Sequence, residues 1–297
     1  MESTPVDVTN ISPEEFQNFL NSFDHVFSDC DGVVWRFRAL PRVGEFFDLM
    51  KRHGKTVHFA SNNSMRSQEN YEAKFKDAKI ENGFQHLITP SVAIAEYLKT
   101  ANYNKKKKIY AVSCEQTIKV LESYGYSCKK GPDVGYENFE DHIEYLQDDP
   151  EIGAVVVDND LNANLAKIQR AVTYLKKPDV LFLGGATDRY VYHKQGCSAL
   201  DCGIFTEIIA AESHRDPIIL GKPGKLYAES AMRKEGVTDA SRVLFIGDLI
   251  DQDVGLGKAA GFKTLMVLSS ISKEEMLAHK IRPDYYADSL ASIVPFL

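Results

Sequence analysis

The sequence predicts an α/β protein built on a mainly parallel sheet, with a second α/β unit inserted into the first. Short apolar strands alternate with amphipathic helical stretches along most of the chain, the pattern that lays helices over a parallel sheet. Clusters of acids and small polar residues follow several of these strands, and open parallel sheets bind ligands outside their carboxyl ends. The rhythm also restarts at about residue 101 and runs to about 213, around an acidic, Gly- and Pro-bearing stretch at 131–150. We therefore expect a first domain made of residues 1–100 and 214–297 and a second made of 101–213. At 297 residues the chain is long enough for both, and a chain of this size buries about 75% of its unfolded surface without staples.

The first helix is marked by Ser12 as its cap, Pro13 at its first position and Glu15 closing a capping box, with Ile11 and Phe16 spaced as a hydrophobic staple. A short strand at 25–29 runs into Asp29-Cys30-Asp31-Gly32. A helical pattern at 43–52 stops at Gly54, and a β-like run at 55–60 breaks into Ser61-Asn62-Asn63-Ser64. Helices are expected at 68–79 and 91–99. In the middle of the chain, strands are expected at 109–112, 154–157 and 180–183, with helices at 116–124, 165–175 and 205–211. The end of the chain reads as helix at 225–234, buried strand at 243–246, helix at 253–260 and strand at 263–268. The run Lys105–Lys108 at the domain boundary reads as a solvated flank.

Composition narrows the function class. Hydrophobic residues make up 44% and charged residues 26%, and the formal net charge is −7, which argues against nucleic acid as a partner. The first ten residues lack the basic and apolar regions of a secretory signal, and no stretch approaches the roughly 18 apolar residues that span a bilayer. The five cysteines, Cys30, Cys114, Cys128, Cys197 and Cys202, are odd in number and scattered. They fit reduced thiols in a cytoplasmic protein.

Three polar clusters end predicted strands: Asp29 with Asp31, Ser61-Asn62-Asn63, and Gly247-Asp248 followed by Asp251 and Asp253. A fourth element, Gly221-Lys222-Pro223, precedes a helix. Asp29 and Asp31 lie on one face of an extended backbone. If Asp248 joins them, like charges about 4 Å apart cost roughly 4 kcal/mol per pair at an effective dielectric near 20, so either protons or a cation must sit among them. Oxygen ligands with room for water suit Mg²⁺. Each acid taken singly is an ordinary turn or cap residue, Ser-Asn-Asn-Ser an ordinary loop, and a lone lysine a surface group. Together, a carboxylate nucleophile, a second carboxyl group, a metal-binding acid, a donor loop and a lysine make up a phosphoryl-transfer site.

These four segments, in this order, resemble the motifs of the haloacid dehalogenase superfamily. The tryptophan in Asp29-Cys30-Asp31-Gly32-Val33-Val34-Trp35, the Ser-Asn-Asn-Ser loop and the Gly-Lys-Pro resemble the 4-nitrophenylphosphatase branch, which includes phosphoglycolate phosphatase and pyridoxal phosphate phosphatase (chronophin). The resemblance implies a Rossmann-like core with an inserted α/β cap, and a magnesium-dependent phosphoric monoester hydrolase acting through an aspartyl phosphate. It implies that Asp29 attacks phosphorus, that Asp31 is the general acid and then the base, and that Ser61 and Lys222 bind the phosphoryl group. It also implies Mg²⁺ on Asp29, Asp248 and the backbone carbonyl of Asp31, with Asp253 behind them. Asn62, Asn63 and, by the match of residues 186–193 to the chronophin cap loop, His193 would contact substrate. The implied partners are a small phosphorylated metabolite, in the phosphoglycolate, pyridoxal phosphate or sugar phosphate class, and a second copy of the chain through the cap. Leu249 stands where the branch has arginine, Lys194 where proline follows the histidine, and residues 157–159 and 198–203 also depart from the pattern. A phospho-ligand binding protein without turnover, or a phosphomutase, remains the alternative.

Overall fold

A computed structural model describes residues 4–192 and 198–297. In chain order the strands are β1 (Val6–Asp7), β2 (His25–Ser28), β3 (Thr56–Ala60), β4 (Leu87–Ile88), β5 (Lys108–Val112), β6 (Ser127–Lys130), β7 (Ile152–Val157), β8 (Leu181–Gly184), β9 (Tyr190–Tyr192), β10 (Ser198–Leu200), β11 (Ile218–Ile219), β12 (Val243–Gly247), β13 (Lys263–Val267) and β14 (Tyr285–Ala287). The chain divides into two compact units. The first comprises residues 1–61, 67–88 and 222–297, and the second residues 62–66 and 89–221.

In the first unit seven strands form a parallel sheet in the order β1-β14-β13-β12-β2-β3-β4. β2 and β12 lie at its centre; Val-Leu-Phe-Ile-Gly of β12 is the near-continuous apolar run that a strand covered on both faces requires, and β2, His-Val-Phe-Ser, buries its last three residues. The core joins Val26, Phe59, Leu244, Ile246 and Leu265 of the strands to Phe16, Phe19, Phe46, Phe47 and Met50 of helices Pro13–Asn21 and Val43–Arg52. The first helix starts as its sequence predicts, with the Ser12–Glu15 capping box formed.

The second unit holds a five-stranded parallel sheet in the order β11-β8-β7-β5-β6 and an antiparallel β9–β10 pair. Its own core gathers Tyr110, Val112, Val155, Val157, Tyr174 and Phe182. Two contacts move its edges outward from the expected 101–213. Helix Pro90–Thr100 packs on helix Glu115–Ser123, and β11 pairs with β8.

Several elements differ from the sequence reading. The acidic, Gly- and Pro-bearing stretch 131–150, which reads as a long connection or an insertion, contains the helix Phe139–Tyr145, capped by Asn138. β6 is Ser-Cys-Lys-Lys, a polar edge strand that apolar periodicity does not reveal. The helix expected at 253–260 begins earlier, with a wide helical turn at Ile250–Val254 leading into Gly255–Ala260. That early turn brings the side chain of Asp253 back beneath the end of β12.

Candidate active site

β2 and β12 are neighbours in the sheet, and both end in acids. Asp29 follows β2, its N–H donating to the Ile246 carbonyl at 2.8 Å, and Asp248 follows β12. Lys222 Nζ donates to Asp29 Oδ1 at 2.5 Å and to Asp253 Oδ1 at 2.7 Å. Carboxylate oxygens of Asp29, Asp248 and Asp253 lie within 4.8 Å of one another. All four residues are buried.

Two backbone features make this crowding possible. Gly32 has φ +95°, and a Cβ there would meet Asp248 Oδ2 at 2.0 Å. A Cβ on Gly247 would meet the Asp253 Cβ at 2.1 Å. Glycine at these two positions leaves the room in which the carboxylates converge.

The acids differ in how their oxygens are used. Asp253 Oδ1 takes Lys222, and its Oδ2 accepts from the backbone N–H groups of Asp248 and Leu249, both at 3.0 Å. Asp253 thus orients the lysine and the loop that carries Asp248. Asp248 Oδ2 accepts from the Ser270 hydroxyl, while its Oδ1 is buried with no hydrogen-bond partner among the described residues. A buried carboxylate oxygen without a partner carries its full desolvation cost.

Electrostatics give the same picture. Three buried carboxylates against one ammonium leave a formal −2. Burial pushes the Asp29 carboxyl well up, Lys222 opposes this, and the nearby Asp253, Asp248 and Asp31 push it higher. Burial, then Asp253, pushes the Asp248 carboxyl up to about 7. Burial acts to lower the Lys222 ammonium, but Asp253 and Asp29 outweigh it and hold the group protonated. The donor set is hard oxygen, its excess charge is that of one divalent cation, and Asp248 Oδ1 lacks a partner. The residues fit Mg²⁺.

Asp31 is partly exposed, and its Oδ1 accepts from Trp35 Nε1 at 3.1 Å across the turn that Gly32 closes. Ser61, directly after β3, is buried. Its Oγ accepts from the Tyr71 hydroxyl at 3.2 Å, and its carbonyl accepts from the Tyr227 hydroxyl at 3.1 Å. Asn62 and Asn63 belong to the second unit. There Asn62 Nδ2 donates to Asp188 Oδ2 at 2.6 Å, and Asn63 Oδ1 accepts from the Met65 N–H at 3.0 Å. Asp251 turns away from the cluster toward His279 Nε2, 3.5 Å off. His193 lies outside the described residues.

The sequence reading missed Ser269 and Ser270. Ser269 Oγ donates to the Gly32 carbonyl at 2.7 Å and lies 3.5 Å from Asp248 Oδ2. Both serines follow β13, so the strand-end rule that found the aspartates would have found them too.

Comparisons with known proteins identify the family. The sequence profile of the haloacid dehalogenase-like hydrolases matches residues 26–127, and a second HAD-hydrolase-like profile matches 219–293. Phosphoglycolate phosphatase 2 of Arabidopsis thaliana is 32% identical over 97% of this chain and 97% of its own. The 4-nitrophenylphosphatase of Schizosaccharomyces pombe is 28% identical over 95% of this chain and 97% of its own. The solved 4-nitrophenylphosphatase of Thermotoga maritima superposes with a TM-score of 0.76 at 24% identity, covering 93% of this chain and 98% of its own, and shows the shared fold. With family models matched in both its first and last parts and a relative 32% identical over 97% of each chain, this chain belongs to the haloacid dehalogenase-like hydrolases.

Proposed function

We propose that the protein is a magnesium-dependent phosphatase of small phosphomonoesters that works through an aspartyl phosphate on Asp29. The observation that carries this is the buried Lys222–Asp29 pair at 2.5 Å beside an Asp248 oxygen that has no partner among the described residues. In the first step Asp29 Oδ2, left available by the lysine on Oδ1, attacks phosphorus. The bond from phosphorus to the ester oxygen breaks, and the leaving oxygen takes a proton from the Asp31 carboxyl. In the second step Asp31, now a carboxylate, takes a proton from water as the water oxygen attacks the phosphorus of the aspartyl phosphate, releasing inorganic phosphate and regenerating Asp29.

Lys222 holds Asp29 in place and offsets charge on the phosphoryl oxygens. Ser61 donates to a phosphoryl oxygen, with Tyr71 and Tyr227 fixing its position. Asp29, Asp248 and the Asp31 carbonyl would hold Mg²⁺, and Asp253 positions Asp248 and Lys222. A cation held there would supply positive charge to offset the carboxylates and the transferring phosphoryl group. Trp35 keeps the Asp31 carboxyl oriented through its indole N–H.

The names of the relatives support phosphoglycolate, 4-nitrophenyl phosphate or glycerol 3-phosphate as the substrate class, and the sequence resemblance adds pyridoxal phosphate. Asn62, Asn63 and His193 select among them in this reading. A cytoplasmic location and a homodimer through the second unit belong to the same proposal. Support for the dimer comes from the exposed Val134, Phe139, Leu161 and Leu165 in that unit.

Phosphate release from phosphoglycolate and from 4-nitrophenyl phosphate, with Mg²⁺ or with EDTA, tests the reading. Turnover with Mg²⁺ that EDTA abolishes and that Asp29→Asn lacks is the expected result. A folded wild type that binds phosphoglycolate without releasing phosphate would overturn it.

A further inference from the structure

In the first unit, three side chains outside the carboxylate cluster converge. His58 stands on β3. His86 ends the helical turn Gly83–His86 that leads into β4, and Glu235 ends the helix Lys225–Glu235. The Nδ1 atoms of both rings sit 2.9 Å from the same oxygen, Glu235 Oε2, and the ligand atoms of all three lie within 4.8 Å of one another.

We infer that His58, His86 and Glu235 form a binding site for a transition-metal cation of the Zn²⁺ type, separate from the carboxylate cluster. Imidazole with carboxylate is a donor set that suits zinc. Zn–N and Zn–O bonds of about 2.0–2.2 Å place neighbouring ligand atoms roughly 3.3–3.5 Å apart. The present 2.9 Å contacts therefore need to open by only a few tenths of an ångström.

The surroundings favour ligation. Thr56 Oγ1 lies 2.7 Å from His58 Nε2 and 2.8 Å from His25 Nδ1, so the far nitrogen of the His58 ring has a fixed partner, as metal-bound histidines usually have. The face of Phe27 stacks on the same ring at 4.8 Å. Burial acts to raise the Glu235 carboxyl, but hydrogen bonds from His58, Lys234 and His86 hold it down to about 2, so it is ionised and ready to bind. Lys234 Nζ takes Oε1 at 2.6 Å and leaves Oε2 to the histidines. His58 and Glu235 are largely buried, whereas the His86 side chain is 47% exposed, so the cluster can be reached from solvent. A ring that coordinates through Nδ1 as a neutral ligand carries its one proton on Nε2, so binding would take each ring as the Nε2–H tautomer, with His58 Nε2–H donating to Thr56 Oγ1. A cation here would clamp β3, which leads into Ser61, to the far end of the helix that follows Lys222.

The test uses EDTA-stripped full-length protein in excess Mg²⁺, titrated with ZnCl₂ by calorimetry and with CoCl₂ by visible absorption. We expect one Zn²⁺ per chain and an intense four-coordinate Co²⁺ band without thiolate charge transfer. His86→Ala should weaken Zn²⁺ binding by at least about 100-fold, and Thr56→Val by about 10–100-fold. Asp248→Asn should leave it unchanged. No Zn²⁺ binding at micromolar concentration, an octahedral Co²⁺ spectrum, or affinity indifferent to His86→Ala would overturn the site. The Co²⁺ spectrum of the wild type decides the matter even if a variant fails to fold.

Discussion

Lys222 is the residue on which the candidate site balances. Its ammonium lies within 2.7 Å of two buried carboxylates, and removing one partner of a buried ion pair leaves uncompensated charge. Lys222→Met should therefore abolish turnover and also lower stability by about 3–5 kcal/mol in urea melts run in EDTA. Asp29→Asn leaves Lys222 its contact with Asp253, so the fold should persist while turnover falls by at least about 1,000-fold. Circular dichroism beside the phosphate-release assay separates the two outcomes. Ser270 acts at one remove, through the hydroxyl it donates to Asp248 Oδ2. Ser270→Ala should raise the Mg²⁺ concentration for half-maximal activity about 10–100-fold. At saturating Mg²⁺ its kcat should stay near that of the wild type.

At the scale of elements, the turn after β2 and the helix that ends at Glu235 are the two places where local structure bears on behaviour. Gly32 combines a left-handed backbone with the space that Asp248 fills. Gly32→Ala must pay strain of about 1–3 kcal/mol and also push Asp248 aside. Loss of Mg²⁺-dependent activity with a lowered melting temperature is the expected outcome. The Glu235 carboxyl is held down to about 2 against an ordinary 4.5. A depressed carboxyl contributes stability that is complete above about pH 4.5 and lost as pH falls through about 2. The contribution is about 1–3 kcal/mol after solvent screening. Acid unfolding followed in EDTA should show this slope in the wild type, and Glu235→Gln should flatten it between those two pH values.

For the whole molecule, two cores and one charged cluster set the response to metal. The aromatic-rich core of the first unit packs against one face of the sheet that carries Asp29 and Asp248, and the second unit has a core of its own. A cation that binds the folded first unit stabilises it by RT ln(1 + [L]/Kd), about 2.7 kcal/mol at a hundredfold excess over Kd. Calorimetric scans with Mg²⁺ and with EDTA should therefore differ by several degrees in the transition of the first unit, and Asp248→Asn should remove the difference. Among the described residues no helix is long and apolar enough to cross a membrane.

The sequence alone carried the α/β class, because apolar runs of strand length alternate with helical periodicity whatever the tertiary arrangement. It also placed Asp29 and Asp248 just after buried strands, where side chains converge at the carboxyl edge of the sheet, and it singled out Lys222 by the Gly-Lys-Pro before a helix; the roles of these residues, and of Asp31 and Ser61, rest on the family resemblance. It did not show β6, whose polar edge needs no apolar pattern, or the helix inside 131–150, whose cap at Asn138 sits in an otherwise loop-like composition. Strand order was likewise decided by tertiary structure. Only the adjacency of β2 and β12 sets Asp29 beside Asp248, and only the early turn at Ile250–Val254 returns Asp253 to Lys222. The His58–His86–Glu235 cluster was hidden for the same reason. Glu235 lies 177 and 149 residues from the two histidines, and spacing along a chain carries no signal for contacts that packing creates.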